Sequence, residues 1–390
     1  MTSPISCDLC IVGGGLAGGL AALAIAQQRP DLDLLLVEGA ETLGGNHVWS
    51  WFDSDLSVEG RAMLAPMTSA RWQSHDVRFP GYNRTLSGCY NSMASERFDV
   101  HVRETLGDRA LMGSGASRIV PDGITLADGR RIVARGVIDA RGGGDLSALS
   151  CGWQKFMGRE LRFTAPHGLS RPVIMDATVD QSEGYRFVYL LPFGERDVFV
   201  EDTYYSDTPG LDLPELERRI DAYAAARGWT VEAVLRHETG VLPVLMGGDF
   251  DAFWPASDPI PRAGARAGLF HPTTGYSLPD AVDFALSLCR LNNFSTPALA
   301  RFSRNRSAAA WKHRGYYRLL DSMLFRAAPP AERWRIFDRF YRLSEPLIAR
   351  FYAARSTAFD KARILCGKPP VPIRAAINAI INTQKSGSHQ

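Results

Sequence analysis

Ile11-Val12-Gly13-Gly14-Gly15-Leu16-Ala17-Gly18-Gly19-Leu20 is the stretch whose reading decides the fold. Apolar residues lead into the glycines and an Ala/Leu run to Ala26 leads out, the pattern of a strand, a tight turn and a helix. Gly13, Gly15 and Gly18 match G-x-G-x-x-G. In such a turn the first glycine permits the sharp bend, the second lets the backbone approach a pyrophosphate, and the third packs helix on strand. The helix start then offers free N–H groups and the positive end of its dipole to the phosphates. A second strand pattern, Leu32 to Val37, ends at Glu38, where an acidic side chain accepts from a ribose hydroxyl. A carboxylate there also repels a 2′-phosphate. Leu9 to Ala26 carries no charge, but its five glycines and the preceding Asp8 suit a strand and turn better than a membrane span.

At 390 residues the chain has room for two domains or one elaborated one, and its composition is that of a soluble globular protein. The formal net charge of +2 hides an asymmetry. From Arg301 onward there are 18 basic and 5 acidic residues, a net +13 against −11 for the first 300. Such a split suits contact between the last quarter and something anionic. Cys7 and Cys10 form a C-x-x-C on the first strand, with no second pair at zinc-ligand spacing, so no metal site is expected. Neither a signal peptide nor a transmembrane helix is legible, which places the protein in the cytoplasm or peripheral to a membrane.

After Glu38, the paired glycines Gly44 and Gly45 form a second small-residue loop of the kind that passes close to a flavin dinucleotide. Val48 to Tyr90 is aromatic-rich and without periodicity, and reads as loops and short strands shaping a pocket. Ser95 to Leu106 reads as a helix, and a strand meander follows, closing with Gly136-Val137-Ile138-Asp139-Ala140-Arg141-Gly142 beside the glycine site. Strand patterns dominate residues 155 to 260, with a helix between Leu213 and Arg227. Next comes a small-residue loop, His271-Pro272-Thr273-Thr274-Gly275-Tyr276-Ser277, opening an apolar helix from Ala281 to Leu291. The chain from Pro297 is helical and dense in aromatic residues and arginine.

The expected fold is therefore α/β: a Rossmann-like, glutathione-reductase/hydroxylase-type FAD-binding domain with an antiparallel-sheet substrate domain and a helical C-terminal region. The boundaries are 1–60 with 95–150 and 262–296 for the first, 61–94 with 151–261 for the second, and 297–390 for the third.

With these segments assembled, the chain resembles the bacterial carotenoid-type lycopene β-cyclase family along essentially its whole length. The match rests on the glycine fingerprint, Val137 to Gly142, Val200-Glu201-Asp202-Thr203, Leu269 to Ser277, and Gly367-Lys368-Pro369-Pro370-Val371-Pro372. The first is shared with many flavoproteins; the last three are far more specific. In plant-type relatives the acidic pair is Glu-Glu, whereas here it is Glu201-Asp202.

The resemblance implies a non-redox isomerase that closes both open ends of lycopene into β-ionone rings, through γ-carotene to β-carotene. It implies reduced FAD, with NADPH as the electron source. It implies lycopene, γ-carotene, an anionic membrane surface and other carotenoid enzymes as partners, no nucleic acid, and a peripheral location on the cytoplasmic face of the inner membrane. The cofactor contacts are then Gly13, Gly15, Gly18, Glu38, Gly45, Arg141, His271, Thr274, Gly275 and Tyr276. The catalytic pair is Glu201 and Asp202, with Glu201 the essential acid. Neighbours on a strand point to opposite faces, so only one of the two enters a given pocket. The alternative on this fold is an FAD-dependent hydroxylase or prenyl reductase that consumes NADPH at each turnover.

Overall fold

The computed structural model describes residues 5–181 and 184–366. The motif at Gly367 to Pro372 lies outside them.

Two sheets carry the architecture. The first has six strands in the order Ala110–Leu111, Leu34–Val37, Ile5–Val12, Arg131–Asp139, Gly123–Leu126, Ala116–Val120. Its centre is parallel: Ile5–Val12 runs alongside both Leu34–Val37 and Arg131–Asp139. Central parallel strands are covered on both faces, which is why they read as unbroken apolar runs. The helix Leu16–Gln28 is buried all round through Ile25, because it lies between this sheet and the helices Ser95–Leu106 and Leu278–Cys289. Behind Arg131–Asp139 runs the helix Thr296–His313, approaching at Gly136, where an added Cβ would lie 1.9 Å from the Phe294 carbonyl oxygen.

The second sheet has eight strands in the order Val231–Gly248, Leu149–Phe163, Asp197–Ser206, Arg186–Pro192, Val173–Asp176, Ala70–Phe79, Tyr82–Ala94, Val48–Phe52. Three of these strands differ from the sequence expectation. Ala70–Phe79 and Tyr82–Ala94 form one long antiparallel hairpin rather than loops and short strands. One of its faces is wet, and arginine, glutamine and serine there obscure the alternation. Val48–Phe52, counted by sequence with the first domain, pairs with Tyr82–Ala94 and so belongs to the second sheet.

Around Arg186–Pro192 and Asp197–Ser206 this sheet is dry on both faces. One packs under the helix Leu213–Ala226 through Val188, Val198, Val200, Tyr204, Leu216 and Ile220. The other, with Phe187, Leu191, Phe199 and Tyr205, meets the C-terminal helices. There Phe337 stacks on Tyr185 with centroids 4.0 Å apart, and Tyr341 is fully buried. Of the tail aromatics, Phe337, Phe340, Tyr341, Phe351, Tyr352 and Trp334 pack inward, and Phe359 is the exposed exception. Arg333 is buried against Phe325 and Asp207, and Arg350 is paired with Asp360. Among the described residues Arg301, Lys312, Arg326, Arg335, Arg342, Arg355 and Arg363 are exposed on its outer surface. No described helix is long and apolar enough to cross a membrane.

Candidate active site

The glycine turn has the geometry a dinucleotide requires. Gly13 has φ +106°, and a Cβ on it would lie 2.7 Å from the Arg141 nitrogen. At Gly18 a Cβ would lie 1.9 Å from the Gly13 carbonyl oxygen, so helix and strand touch there. Gly15 differs: a Cβ built on it meets nothing within 4 Å. It is the N-cap of Leu16–Gln28, and no side chain caps that helix start. Close packing at two glycines and open space at the third, over uncapped N–H groups, form a cradle for an anion.

Glu38 stands at its rim, accepting from the Gly14 N–H at 2.6 Å and the Ala40 N–H at 2.8 Å. These bonds fix the carboxylate and leave lone pairs for a further donor. Gly45 sits in a left-handed turn, φ +66°, and the Gly44 N–H binds the Gly14 carbonyl, tying the second glycine pair to the first. The Arg141 guanidinium lies beside the turn but is held by Asp139, with two 2.9 Å bonds.

His271 is a structural residue of its loop. Its Nδ1 accepts from the Thr273 and Thr274 N–H groups, so Nε2 carries the hydrogen and donates to the Phe351 carbonyl at 3.0 Å. Burial pushes the imidazole down to about 3, so it stays neutral. This clamp aims Thr274, Gly275 and Tyr276 at a cleft of about 240 Å³. At the same place the helix Leu278–Cys289 begins.

The second sheet forms the cleft floor, and strand register dictates what is on it. Across four neighbouring strands, Glu238, Gly158, Glu201 and Tyr189 are directly opposite one another. The next row on the same face is Gly240, Phe156, Thr203 and Phe187. Opposed residues share a face. Phe156, Tyr189, Leu191, Phe199 and Glu201 accordingly line the cleft, with Tyr90, Trp49 and Tyr276 around them. Glycines on this floor make room for rings: Phe199 lies over Gly158, and Phe156 over Gly240.

Glu201 keeps part of its surface uncovered, and that surface faces the cleft. Its Oε1 accepts from the Thr203 hydroxyl at 2.7 Å. Apolar surroundings, reinforced by the nearby charge of Glu238, push its carboxyl up to about 8. The group is therefore a protonated acid at neutral pH. Asp202 points the other way. It is fully buried beneath Leu213–Ala226 and paired with Arg186, whose Nε lies 3.0 Å from each carboxylate oxygen. It has no access to the cleft, and its part is to neutralise Arg186. Replacing it with alanine strands that guanidinium in the interior, at a cost of about 3–5 kcal/mol. Asp202→Ala is expected to lower the urea midpoint accordingly while the folded fraction remains active.

Several cleft residues carry no sequence signal of their own. His47 donates from Nδ1 to Glu238 at 2.8 Å, and Tyr90 and Tyr276 share a hydroxyl bond at 3.1 Å. The one available hint was glycine within strands, at Gly158 and Gly240, which marks close approach.

A sheet parallel at its centre with a glycine turn, joined to a large, mostly antiparallel sheet carrying a cleft, is a fold found among FAD-dependent monooxygenases and reductases. The chain shares it with a geranylgeranyl bacteriochlorophyll reductase-like protein of Thermoplasma acidophilum, at TM-score 0.64 and 14% identity over 98% of this chain and 100% of the other. It shares it also with the rebeccamycin biosynthetic enzyme RebC with reduced flavin, at TM-score 0.58 and 17% identity over 90% and 76%. Within that class, residues 8–378 match the lycopene cyclase protein family, and the chain belongs to it. It is 46% identical to the lycopene beta-cyclase of Pantoea ananas over 97% of this chain and 99% of that one. With the lycopene beta-cyclase of Pseudescherichia vulneris it shares 44% over 96% and 97%.

Proposed function

We propose that this enzyme is a lycopene β-cyclase in which Glu201 is the acid that starts ring closure. The observation that carries the reading is the Glu201 carboxyl, facing an aromatic-walled cleft whose apolar surroundings favour its protonated form, in a chain that also carries a dinucleotide cradle. Lycopene has no polar group, so a site for it needs an apolar wall, a proton donor and something to hold positive charge. Transfer of the Glu201 proton to the terminal double bond places a cation on a tertiary carbon. The neighbouring alkene attacks it, and loss of a proton from the new ring sets the β double bond.

Gly13, Gly15, Gly18, Glu38 and Gly45 would hold FAD at the cradle, with Thr274, Gly275 and Tyr276 at the cleft. Reduced FAD, kept so through NADPH, supplies electron density that offsets the positive charge. Opposite charges about 4 Å apart at an effective dielectric near 20 attract by about 4 kcal/mol. A ring face contributes roughly 0.5–2 kcal/mol, so Phe156, Phe199, Tyr90 and Tyr189 assist rather than lead.

Anaerobic incubation of the enzyme with lycopene and reduced flavin tests this. The expected product has the mass of the substrate and the absorption of β-carotene, and NADPH is not consumed in step with turnover. A product two hydrogens or one oxygen heavier, with matching NADPH loss, makes the protein a reductase or hydroxylase instead.

The substrate dissolves in bilayers, and the basic surface of the C-terminal helices suits docking on the anionic cytoplasmic face of the inner membrane. Because most of the tail aromatics are packed inward, attachment rests on charge, with Phe359 and Leu365 exposed apolar groups among the described residues. Flotation with vesicles is expected to require anionic lipid and to fall as salt rises. Equal flotation on neutral vesicles at high salt counts against it.

A further inference from the structure

Ring closure needs a base as well as an acid, and the geometry points to Glu238 as the group that removes the proton from the newly formed ring. This rests on the reading of Glu201 as the acid.

Glu238 stands on the cleft floor in the same cross-strand row as Glu201, two strands away, with only Gly158 between them. Two strand spacings put the backbones about 10 Å apart. Phe199 lays its ring over Gly158 in the gap, so the two carboxyl groups rise on either side of an aromatic floor. An end group resting on that ring has a carboxyl at each flank.

Their surroundings are opposite in character. Glu201 has one hydroxyl partner and apolar neighbours. Glu238 accepts two N–H bonds, from His47 Nδ1 at 2.8 Å and from the Val48 backbone at 2.9 Å, and it is buried apart from the cleft. Two N–H donors and no O–H donor are the setting of a carboxylate.

The proton count closes. Glu201 loses a proton to the alkene carbon, Glu238 gains one from the adjacent ring carbon, and no electron is gained or lost overall. Glu238, which itself lines the open cleft, gives its proton up to water once the ring has left. Glu201 recovers one from water as product leaves.

The groups facing this pair are few. Tyr189, Tyr90 and Tyr276 face Glu201 from neighbouring elements, and Asp202 lies behind the sheet with Arg186. Arg236 and Glu160 flank Glu238 in the adjoining row, Arg236 being paired with Glu96.

The ring cation carries protons on three neighbouring carbons, and the position of the base selects which is lost. Glu238→Gln in the flavin-loaded enzyme is therefore expected to slow turnover at least ~100-fold, within the range for a lost general base. The residual product should shift from β rings toward isomers with the double bond elsewhere in the ring. Removing the neighbouring charge should also move the alkaline limb of the pH profile to lower pH. The infrared band of the protonated Glu201 carboxyl, titrated without substrate, should move with it.

Should Glu238→Gln not fold, Glu238→Asp withdraws the carboxylate by one methylene and is expected to show the same product shift. Wild-type rate with β rings alone, in either folded variant, overturns the assignment. Such a result leaves Glu201 as the acid untouched, whereas an active Glu201→Gln removes the acid itself.

Discussion

Glu201→Gln is expected to fold, bind flavin and convert no measurable lycopene, a loss of at least ~1000-fold. General acid catalysis is worth typically 10²–10⁴. The upper part of that range applies because an alkene is a poor proton acceptor and the other carboxylate on the cleft floor, Glu238, accepts N–H bonds on both oxygens. The amide replaces a group that is already neutral when protonated, so packing is preserved.

The same substitution has a stability signature. Folded Glu201 keeps its proton up to about 8, whereas the unfolded chain releases it near 4.5. Between those values the folded state binds more protons, so the wild-type protein loses stability as pH rises through the window. Glu201→Gln lacks that loss, and its advantage in melting temperature should grow from pH 5 to pH 8. Wild-type turnover should fall as pH rises through about 8, because the acid is then ionised. A variant that still makes β-carotene at an appreciable rate removes Glu201 from the mechanism.

Gly15→Val and Gly18→Val should fail in different ways. A side chain on Gly15 enters open space, and φ −66° with ψ −178° suits any residue, so the fold should survive. The loss is confined to the helix N-cap, about 1 kcal/mol or less. That open space is where the pyrophosphate must approach, so FAD affinity should fall at least ~100-fold, or about 2.7 kcal/mol. Gly18→Val drives its side chain into the Gly13 carbonyl and should not fold stably at all. Flavin fluorescence titration and thermal melts separate the two. Unchanged FAD binding in Gly15→Val would show that the cofactor does not use this turn.

What could be read from the sequence was local. The glycine spacing, the strand ending at Glu38 and the helix Ser95–Leu106 are each written within a few turns of chain. So was the alternation that sends Glu201 and Asp202 to opposite faces, because side-chain parity along a strand needs no knowledge of its neighbours. The cleft floor was not legible. Glu238 meets Glu201 only through the registers of Leu149–Phe163 with the strands on either side of it, and register is set by long-range pairing. His47 follows a glycine loop that looked like cofactor contact alone, yet its ring is bonded to Glu238. Nor could the tail's aromatic residues be divided between core and surface until their partners, such as Tyr185 beneath Phe337, were in place.

Turnover of lycopene in D2O, with the flavin reduced in one sample and oxidised in the other, tests the central claim most directly. If Glu201 delivers an exchangeable proton to the polyene, the reduced enzyme should yield β-carotene carrying one deuterium for each ring closed. The oxidised enzyme should yield almost none. Rings that form without deuterium, or equally well with oxidised flavin, would contradict an acid-initiated closure supported by the reduced cofactor.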